Sequence, residues 1–261
     1  MPELPDLHLF AKNLRGLVLH KPITQAEANP TKVSVTPAVF RDALLGKAIE
    51  AIDRNGKELY FTLTGGQVFS VHLMLHGKYA YLSWDKVLKT QNKVIALRFE
   101  DDQALVVADY SGMCKATLNP PRPAVPDALS EAFTFEYFEK TIRKHAGKGV
   151  KGFLINQQAI RGIGNAYADE ILWKADISPK SVAGKIPQED VRGLYDAIGW
   201  VLRDAIEQLE RICPDAISGE ERSFLRVHHP KKERTDEGEP ILREEIDKKQ
   251  TYYTKKQRLF L

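Results

Sequence analysis

Pro2 and Glu3 are the first residues whose types could do chemistry, in an opening that reads "MPELPD". Loss of Met1 would leave Pro2 with a secondary α-amine. Terminal amines titrate near pKa ~8, well below lysine, so a usable fraction is neutral and nucleophilic at physiological pH. A secondary amine that condenses with a sugar aldehyde carbon gives an iminium, which is cationic without protonation and labilises the bonds to phosphate. Glu3 beside it could open the sugar ring as a general acid if burial keeps it protonated. A stiff extended tail would use the same residues, and for an arbitrary chain starting Met-Pro that plainer role is the commoner one.

A second candidate is "RGIGNAYADEILW", residues 161 to 173. Gly162 and Gly164 allow backbone conformations closed to other residues, and Asn165 is suited to cap the helix that follows. A helix N-terminus presents N–H groups and partial positive charge, which suit a phosphate, so the turn-helix pair would clamp a nucleic-acid backbone. A tight connection between helices, with nothing bound, fits the loop equally well. The third candidate lies near the end, where Lys248, Lys249, Lys255, Lys256 and Arg258 interleave with Tyr252 and Tyr253. Such a ribbon could track phosphates, and it could also be a solvated edge strand that uses lysine to discourage pairing.

These residues need elements to hold them. Leu7, Phe10, Leu14 and Leu17 recur at helical spacing directly behind Pro5, so a helix anchors the N-terminus. From about Lys32 to Thr117, short β-rich runs separated by turn signals at Asn55-Gly56, Gly65-Gly66 and Asp101-Asp102 predict antiparallel sheet. A short helix interrupts it, with Thr36 as N-cap, Pro37 in first position and Gly46 as stop. The stretch "NPPRPAVPD", residues 119 to 127, holds four prolines and predicts a linker. Helical periodicity follows over residues 135 to 145, up to Ile160, from Asn165 to Ala175, and through Val191, Leu194, Ile198, Leu202 and Leu209. "EPILREEI" and "TYYTKKQR" then read as arms of one hairpin around Asp247-Lys248-Lys249. The predicted organisation is a sheet domain over 1–118, a linker over 119–130, a helical domain over 131–220 and a hairpin over 221–261.

Composition sets outer bounds. With 261 residues, 43% of them hydrophobic, the chain can bury a substantial core, and a net charge of +3 permits a polyanionic partner without demanding one. Cys114 and Cys213 form neither a disulfide framework nor a C-x-x-C pair, so no metal centre and no cofactor are expected. No secretory leader or membrane-length apolar run is evident, which places the expected location in the cytoplasm, with no membrane partner.

Taken together and in this order, the motifs resemble the formamidopyrimidine-DNA glycosylase and endonuclease VIII family of base-excision repair enzymes. The resemblance runs over essentially the whole chain. It rests on "MPELPD", "GKELYF" around Lys57, "HLMLHG" from His72, the run from Val150 to Pro179, and "TYYTKKQR". It implies an α+β protein: an N-terminal antiparallel β-sandwich with flanking helices, then a helix-two-turns-helix domain carrying a zinc-finger-like hairpin. The implied activity is that of a bifunctional DNA glycosylase and abasic-site lyase acting as a monomer on damaged double-stranded DNA, with the target base flipped out of the stack. Carried over residue by residue, Pro2 is the nucleophile at the sugar C1′ and Glu3 the acid at the ring oxygen. Lys57 contacts the phosphate and sugar of the damaged nucleotide. Lys151 and Asn165, with Gly162 and Gly164 shaping the loop, grip the backbone, and His72 makes a phosphate contact.

Departures from the family pattern are informative. Where the family commonly has four zinc cysteines, this chain has Arg234, Glu237, Thr254 and Gln257, so the hairpin is expected to be a metal-free finger held by Ile241, Ile246 and Tyr252. The hairpin-tip arginine is replaced by Lys249, which keeps charge but loses bidentate geometry. The family's Asp-Pro-Arg-Arg-Phe-Gly appears as "DYSGMC", Asp109 to Cys114, leaving Leu75 and Met113 as candidates to fill the void behind a flipped base. The "SGEERS" loop, Ser218 to Ser223, is short compared with that of family members specialised for 8-oxoguanine, so the resemblance implies a preference for ring-opened purines or oxidised pyrimidines. Asp6 stands in place of the more usual glutamate. Two rival readings are a binder of damaged DNA that has lost turnover, suggested by the altered loop, and an RNA-binding module. Retention of Pro2, Glu3 and Lys57 favours the enzyme, and the sheet domain disfavours the RNA module.

Overall fold

Glu3 is the N-cap of helix α1 (Leu4–Val18), and Pro5 lies in its first turn, where a missing N–H leaves no intrahelical bond unmade. Of the face expected from the sequence, Leu7, Phe10 and Leu14 are at most 2% exposed, while Leu17 in the last turn is only half-buried. The computed structural model describes residues 1–261. They form two compact units, one of Met1–Arg122 with Leu209–Glu220 and the other of Pro123–Gln208 with Glu221–Leu261.

In the first unit, the elements after α1 are β1 (Ile23–Ala28), α2 (Pro37–Leu44), β2 (Ile49–Asn55), β3 (Glu58–Leu63), β4 (Val68–His72), β5 (Lys78–Ser83), α3 (Trp84–Val87), β6 (Lys93–Phe99), β7 (Gln103–Ala108) and β8 (Lys115–Leu118). They make two four-stranded antiparallel sheets, ordered β2-β3-β4-β8 and β1-β6-β7-β5. Alternate residues from both sheets share one core with α1 and α2, including Ile52, Phe61 and Val71 from the first and Ile95, Leu97 and Val107 from the second. Phe61 and Phe69 stack across β3 and β4 at 4.6 Å. Thr36 caps α2 by accepting from Val39 N–H, and Gly46 takes φ +73° beyond its end, as expected. Gly56, Gly65, Gly66 and Asp102 all have positive φ, which accounts for the three turn signals. One expectation is corrected: sheet begins at Ile23 rather than near Lys32. The β1 sequence ITQAEA is half polar and lacks a β-rich run, and pairing with β6 makes it a strand.

Register brings several loops to one end of these sheets. Glu58 pairs with His72, and His72 with Lys115, so the β2–β3 turn, the end of β4 and the start of β8 are neighbours. Residues 73–77 cross from β4 to β5, and residues 109–114 cross from β7 to β8. Because β4 pairs with β8 and β5 with β7, these two crossovers run side by side.

The second unit contains α4 (Phe135–Lys144), α5 (Val150–Leu154), α6 (Asn165–Lys174), α7 (Gln188–Ile212) as far as Gln208, and the hairpin β9 (Leu242–Ile246) and β10 (Lys249–Tyr253). The helix expected to reach Ile160 stops at Leu154. Side-chain bonds of Gln157 to Ile155 O, Gly162 N and Ile163 O, and of Asn156 to Gln158 N, satisfy the backbone beyond it in turns instead. Asp247 and Lys248, at φ +49° and +60°, form the two-residue hairpin turn, so Lys249 begins β10 rather than occupying the tip. Residues 209–220 group by contact with the sheets, whereas the sequence boundary assigns them to the helices. Ala216 and Ile217 pack on the first core, and Ser218 Oγ bonds both N and O of Tyr79. No helix is long and apolar enough to cross a membrane.

Candidate active site and nucleic-acid interface

Pro2 is buried, and Glu3 is 4% exposed. Main-chain N–H of Glu3 donates to Asp6 Oδ2 at 2.8 Å, half of a capping box that fixes the lead-in to α1. Asp6, whose effect the sequence left open, thus holds the backbone of the candidate acid. In the chain with Met1 present, the α-ammonium pairs with Glu220. Helix α1 packs on β2 and β3, the strands joined by the turn that carries Lys57. Lys57 is 7% exposed.

His72 ends β4, and its Nδ1 accepts from Met74 N–H at 3.0 Å. Beyond it, Leu75 is 48% exposed, while Met113 in the neighbouring crossover is half-buried. Thus Lys57, His72, Leu75 and Met113 all lie at the same end of the sheets. The 109–114 crossover is built around Asp109, which accepts from Ser111 N and Oγ, Met113 N and Cys114 N at 2.6–2.9 Å. Burial pushes the Asp109 carboxyl up, but these donors together outweigh it and hold the group below the usual carboxylate range. Lys32 adds a bond to Gly112 O. Burial first, then the Asp109 charge, pushes the Cys114 thiol up to about 12, so it is a core residue and no nucleophile.

In the second unit, the structure corrects the role of Asn165. Gly164 is the N-cap of α6, and Asn165 occupies the first helical position and sends its Nδ2 to Gln250 O at 2.9 Å. Asn165 Oδ1 is buried with no partner. Gly162 takes φ +106°, a conformation that favours glycine, and its N–H is held by Gln157. Lys151 is 2% exposed. Its ammonium lies 2.7 Å from Asp169 Oδ1, a charge contact without hydrogen-bond alignment, and donates to Thr251 Oγ1 at 2.7 Å and Gln250 O at 3.3 Å. Lys151 and Asn165 therefore meet at one β10 carbonyl. Lys249 is exposed beside it.

Sequence reasoning missed Asp169 and Glu170. Asp169 Oδ2 takes His228 Nδ1 at 2.7 Å and Tyr252 N–H at 3.0 Å. Glu170 accepts from main-chain N–H of Arg226, Val227 and His228 at 2.7–2.9 Å. Burial pushes the Glu170 carboxyl up against those three donors. Two adjacent carboxylates of α6 thereby fasten the chain entering the hairpin, and the signal was the unusual "DE" pair inside an otherwise apolar helix. Val227, Ile241 and Tyr252 pack with Trp173 beneath, whereas Ile246 is only half-buried.

The four positions where the family's zinc ligands would fall do not fit that metal. Arg234 bonds Gly238 O, and Gln257 takes Thr254 N–H while donating to Ile177 O, both at 2.8 Å. None offers a thiolate or imidazole, and no group of three or more His, Cys, Asp or Glu is arranged to hold a metal ion.

Comparison with known proteins agrees with this architecture. The formamidopyrimidine-DNA glycosylase N-terminal domain model matches residues 1–114, and the formamidopyrimidine-DNA glycosylase H2TH domain model matches residues 125–214. The formamidopyrimidine-DNA glycosylase of Enterococcus faecalis is 32% identical over 218 residues, 79% of this chain and 77% of that protein. That of Solibacter usitatus is 32% identical over 256 residues, 93% and 90% of the two chains. Two solved structures each cover 97% of this chain and 98% of their own at 25% identity: the Lactococcus lactis Fpg complex with an abasic site containing DNA, TM-score 0.85, and MutM in complex with carbocyclic 8-oxo-G containing DNA, TM-score 0.86. By domain order, by these identities and by fold along nearly its full length, this chain belongs to the formamidopyrimidine-DNA glycosylase family.

Proposed function

We propose that the protein is a bifunctional DNA glycosylase and abasic-site lyase of base excision repair. Its substrate is double-stranded DNA carrying a ring-opened purine or an oxidised base. The observation that carries the reading is the N-terminus: a buried proline and a buried carboxylate, immobilised by the Glu3–Asp6 capping bond at the head of a core helix. A binding protein has no use for a terminal amine so prepared.

In the proposed reaction, Met1 is first removed, freeing the Pro2 nitrogen. That nitrogen bonds to C1′ of the flipped nucleotide as the base departs with the glycosidic electron pair and takes up a proton. Glu3 gives a proton to the ring oxygen as the C1′–O bond breaks, and the nitrogen lone pair completes the iminium. Loss of a C2′ proton then expels the 3′ phosphate with its bonding pair, and a second elimination can expel the 5′ phosphate. Water finally hydrolyses the iminium and releases Pro2. Lys57, His72, Lys151, Asn165, Lys249 and the loop around Gly162 and Gly164 hold the backbone. Leu75 and Met113 fill the gap behind the flipped base, and the finger works without metal.

A second reading, a damaged-DNA binder without turnover, draws on Ser111 and Gly112 standing where the family has arginines. Incubation with duplexes containing a formamidopyrimidine, an oxidised pyrimidine or an abasic site separates the two. The enzyme releases base and nicks the strand, whereas tight binding with an intact strand supports the binder.

A further inference from the structure

Between residues 128–135 and one face of α7 lies an open groove of about 780 Å³, lined by no residue that the proposed function uses. Both walls belong to the second unit. The floor is aromatic and fixed. Tyr195 of α7 donates its hydroxyl to Phe133 O at 2.9 Å, and its ring lies 5.5 Å from that of Phe133 and 5.6 Å from that of Phe135. The facing wall is braced by Asp127, which accepts Leu129 N–H at 3.0 Å, and by Thr134, which caps α4 by accepting Tyr137 N–H. A groove built this way exists before any guest arrives, so little ordering is left to binding.

Charge selects the guest. Asp196, Arg203, Asp204 and Glu207 of α7, with Glu131 of the facing wall, give the groove four carboxylates against one guanidinium. Arg203 folds back along its own helix, where a Cβ at Gly199 would meet its Nη1 at 2.8 Å. Asp204 is held by Arg226 at 2.9 Å and Asp196 lies 3.7 Å from Arg192, whereas Glu131 and Glu207 are exposed and make no ion pair. In a chain of net charge +3 this face is locally acidic, and it repels a phosphate backbone. Rings at the groove already hold cations of this chain. The Arg192 guanidinium lies 4.4 Å from the Phe135 centroid, and Trp200, 42% exposed, has Lys174 at 4.1 Å and Arg226 at 4.9 Å. Length points to a peptide rather than a small molecule. The lining from Tyr195 to Glu207 spans about 18 Å of helix, the reach of about five or six extended residues.

We propose that this groove docks a cationic peptide segment of a partner protein, one carrying arginine or lysine beside large aliphatic side chains. The inference goes beyond the glycosylase reading and does not depend on it. A partner held there leaves Lys57, Lys151, Asn165 and Lys249 to DNA.

The test uses the full-length protein and a fluorescein-labelled peptide alternating arginine with leucine, beside a counterpart with glutamate in place of arginine. Anisotropy should show saturable binding of the arginine peptide and none of the glutamate one. The double variant Glu131→Lys/Glu207→Lys should weaken that binding roughly ten-fold. Glu50→Lys/Glu100→Lys, an equal charge change at exposed sites outside the groove, should leave it within about two-fold, because distant charges are screened. Thermal unfolding of both variants should match wild type, since all four side chains are exposed. On wild type, the peptide should slow hydrogen exchange over residues 128–135, and duplex affinity of Glu131→Lys/Glu207→Lys should not fall. No binding of the arginine peptide, equal loss in the two double variants, protection only outside the groove, or weakened duplex binding would each overturn the proposal.

Discussion

Lys151 Nζ and Asn165 Nδ2 converge on a single acceptor, the main-chain carbonyl of Gln250, at 3.3 and 2.9 Å. One charged and one neutral donor are thereby pre-grouped on β10, next to the exposed Lys249. A phosphate that takes the place of that carbonyl would receive both. The two donors should then differ in salt response, because only a cation releases counterions on binding. Lys151→Met is expected to weaken duplex binding and lower the slope of log affinity against log salt by about one. Asn165→Ala should weaken binding at an unchanged slope. Fluorescence anisotropy across a salt series measures both, and an unaltered slope in Lys151→Met would remove that lysine from the phosphate contacts.

Asp169 faces Lys151, His228 and the Tyr252 N–H with its side chain fully buried. Asp169→Asn keeps the shape but removes the carboxylate that lies 2.7 Å from the buried Lys151 ammonium. Breaking one partner of a buried pair costs about 3–5 kcal/mol. Chemical denaturation should show that loss, with the hairpin amides of β9 and β10 exchanging faster than those of α4. A change below about 1 kcal/mol would mean that the pair does not secure the hairpin.

Asp6 holds the N–H of Glu3, which is 4% exposed. Asp6→Ala leaves that donor unpaired and should destabilise the protein by about 1 kcal/mol. It should also slow single-turnover base removal more than it weakens DNA binding, and Asp6→Glu should restore the rate by supplying the same acceptor. Equal effects on rate and binding would make Asp6 purely structural.

Asp109 links the crossover to pH. Its folded pKa is held below an unfolded value near 3.9, so the folded state keeps the charged form and gains stability from it above that pH. The gain is lost as pH falls from about 4 through the folded value. Asp109→Asn should therefore be less stable than wild type at pH 7 and at pH 5, and the gap should close near pH 3 and below. Urea denaturation at these three values checks the sign, and a gap that persists unchanged at low pH contradicts it.

Elements whose signals are local were legible in the sequence. The periodic face of α1, the Thr36-Pro37 start of α2 and the Gly65-Gly66 turn each follow from a few adjacent residues. What escaped depends on partners far along the chain. β1 is a strand because β6 pairs with it, and Asn165 lies one residue inside the Gly164 cap and donates its amide to Gln250 O, remote in sequence. The Asp169–Glu170 anchor likewise joins segments that no periodicity connects. Conversely, the candidate residues Lys57, His72, Leu75 and Met113 were nameable from motifs, but that they share one end of the sheets follows only from strand register.

The central claim is that the Pro2 nitrogen, freed of Met1, bonds to the sugar. Borohydride reduction of the protein on an abasic duplex, followed by proteolysis and mass spectrometry of the adduct, tests it most directly. The account requires the deoxyribose mass on the N-terminal peptide beginning at Pro2, and no such adduct on protein that retains Met1, where the Pro2 nitrogen is an amide. An adduct on Lys57 or another lysine, or no adduct on a protein shown to have lost Met1, would contradict it.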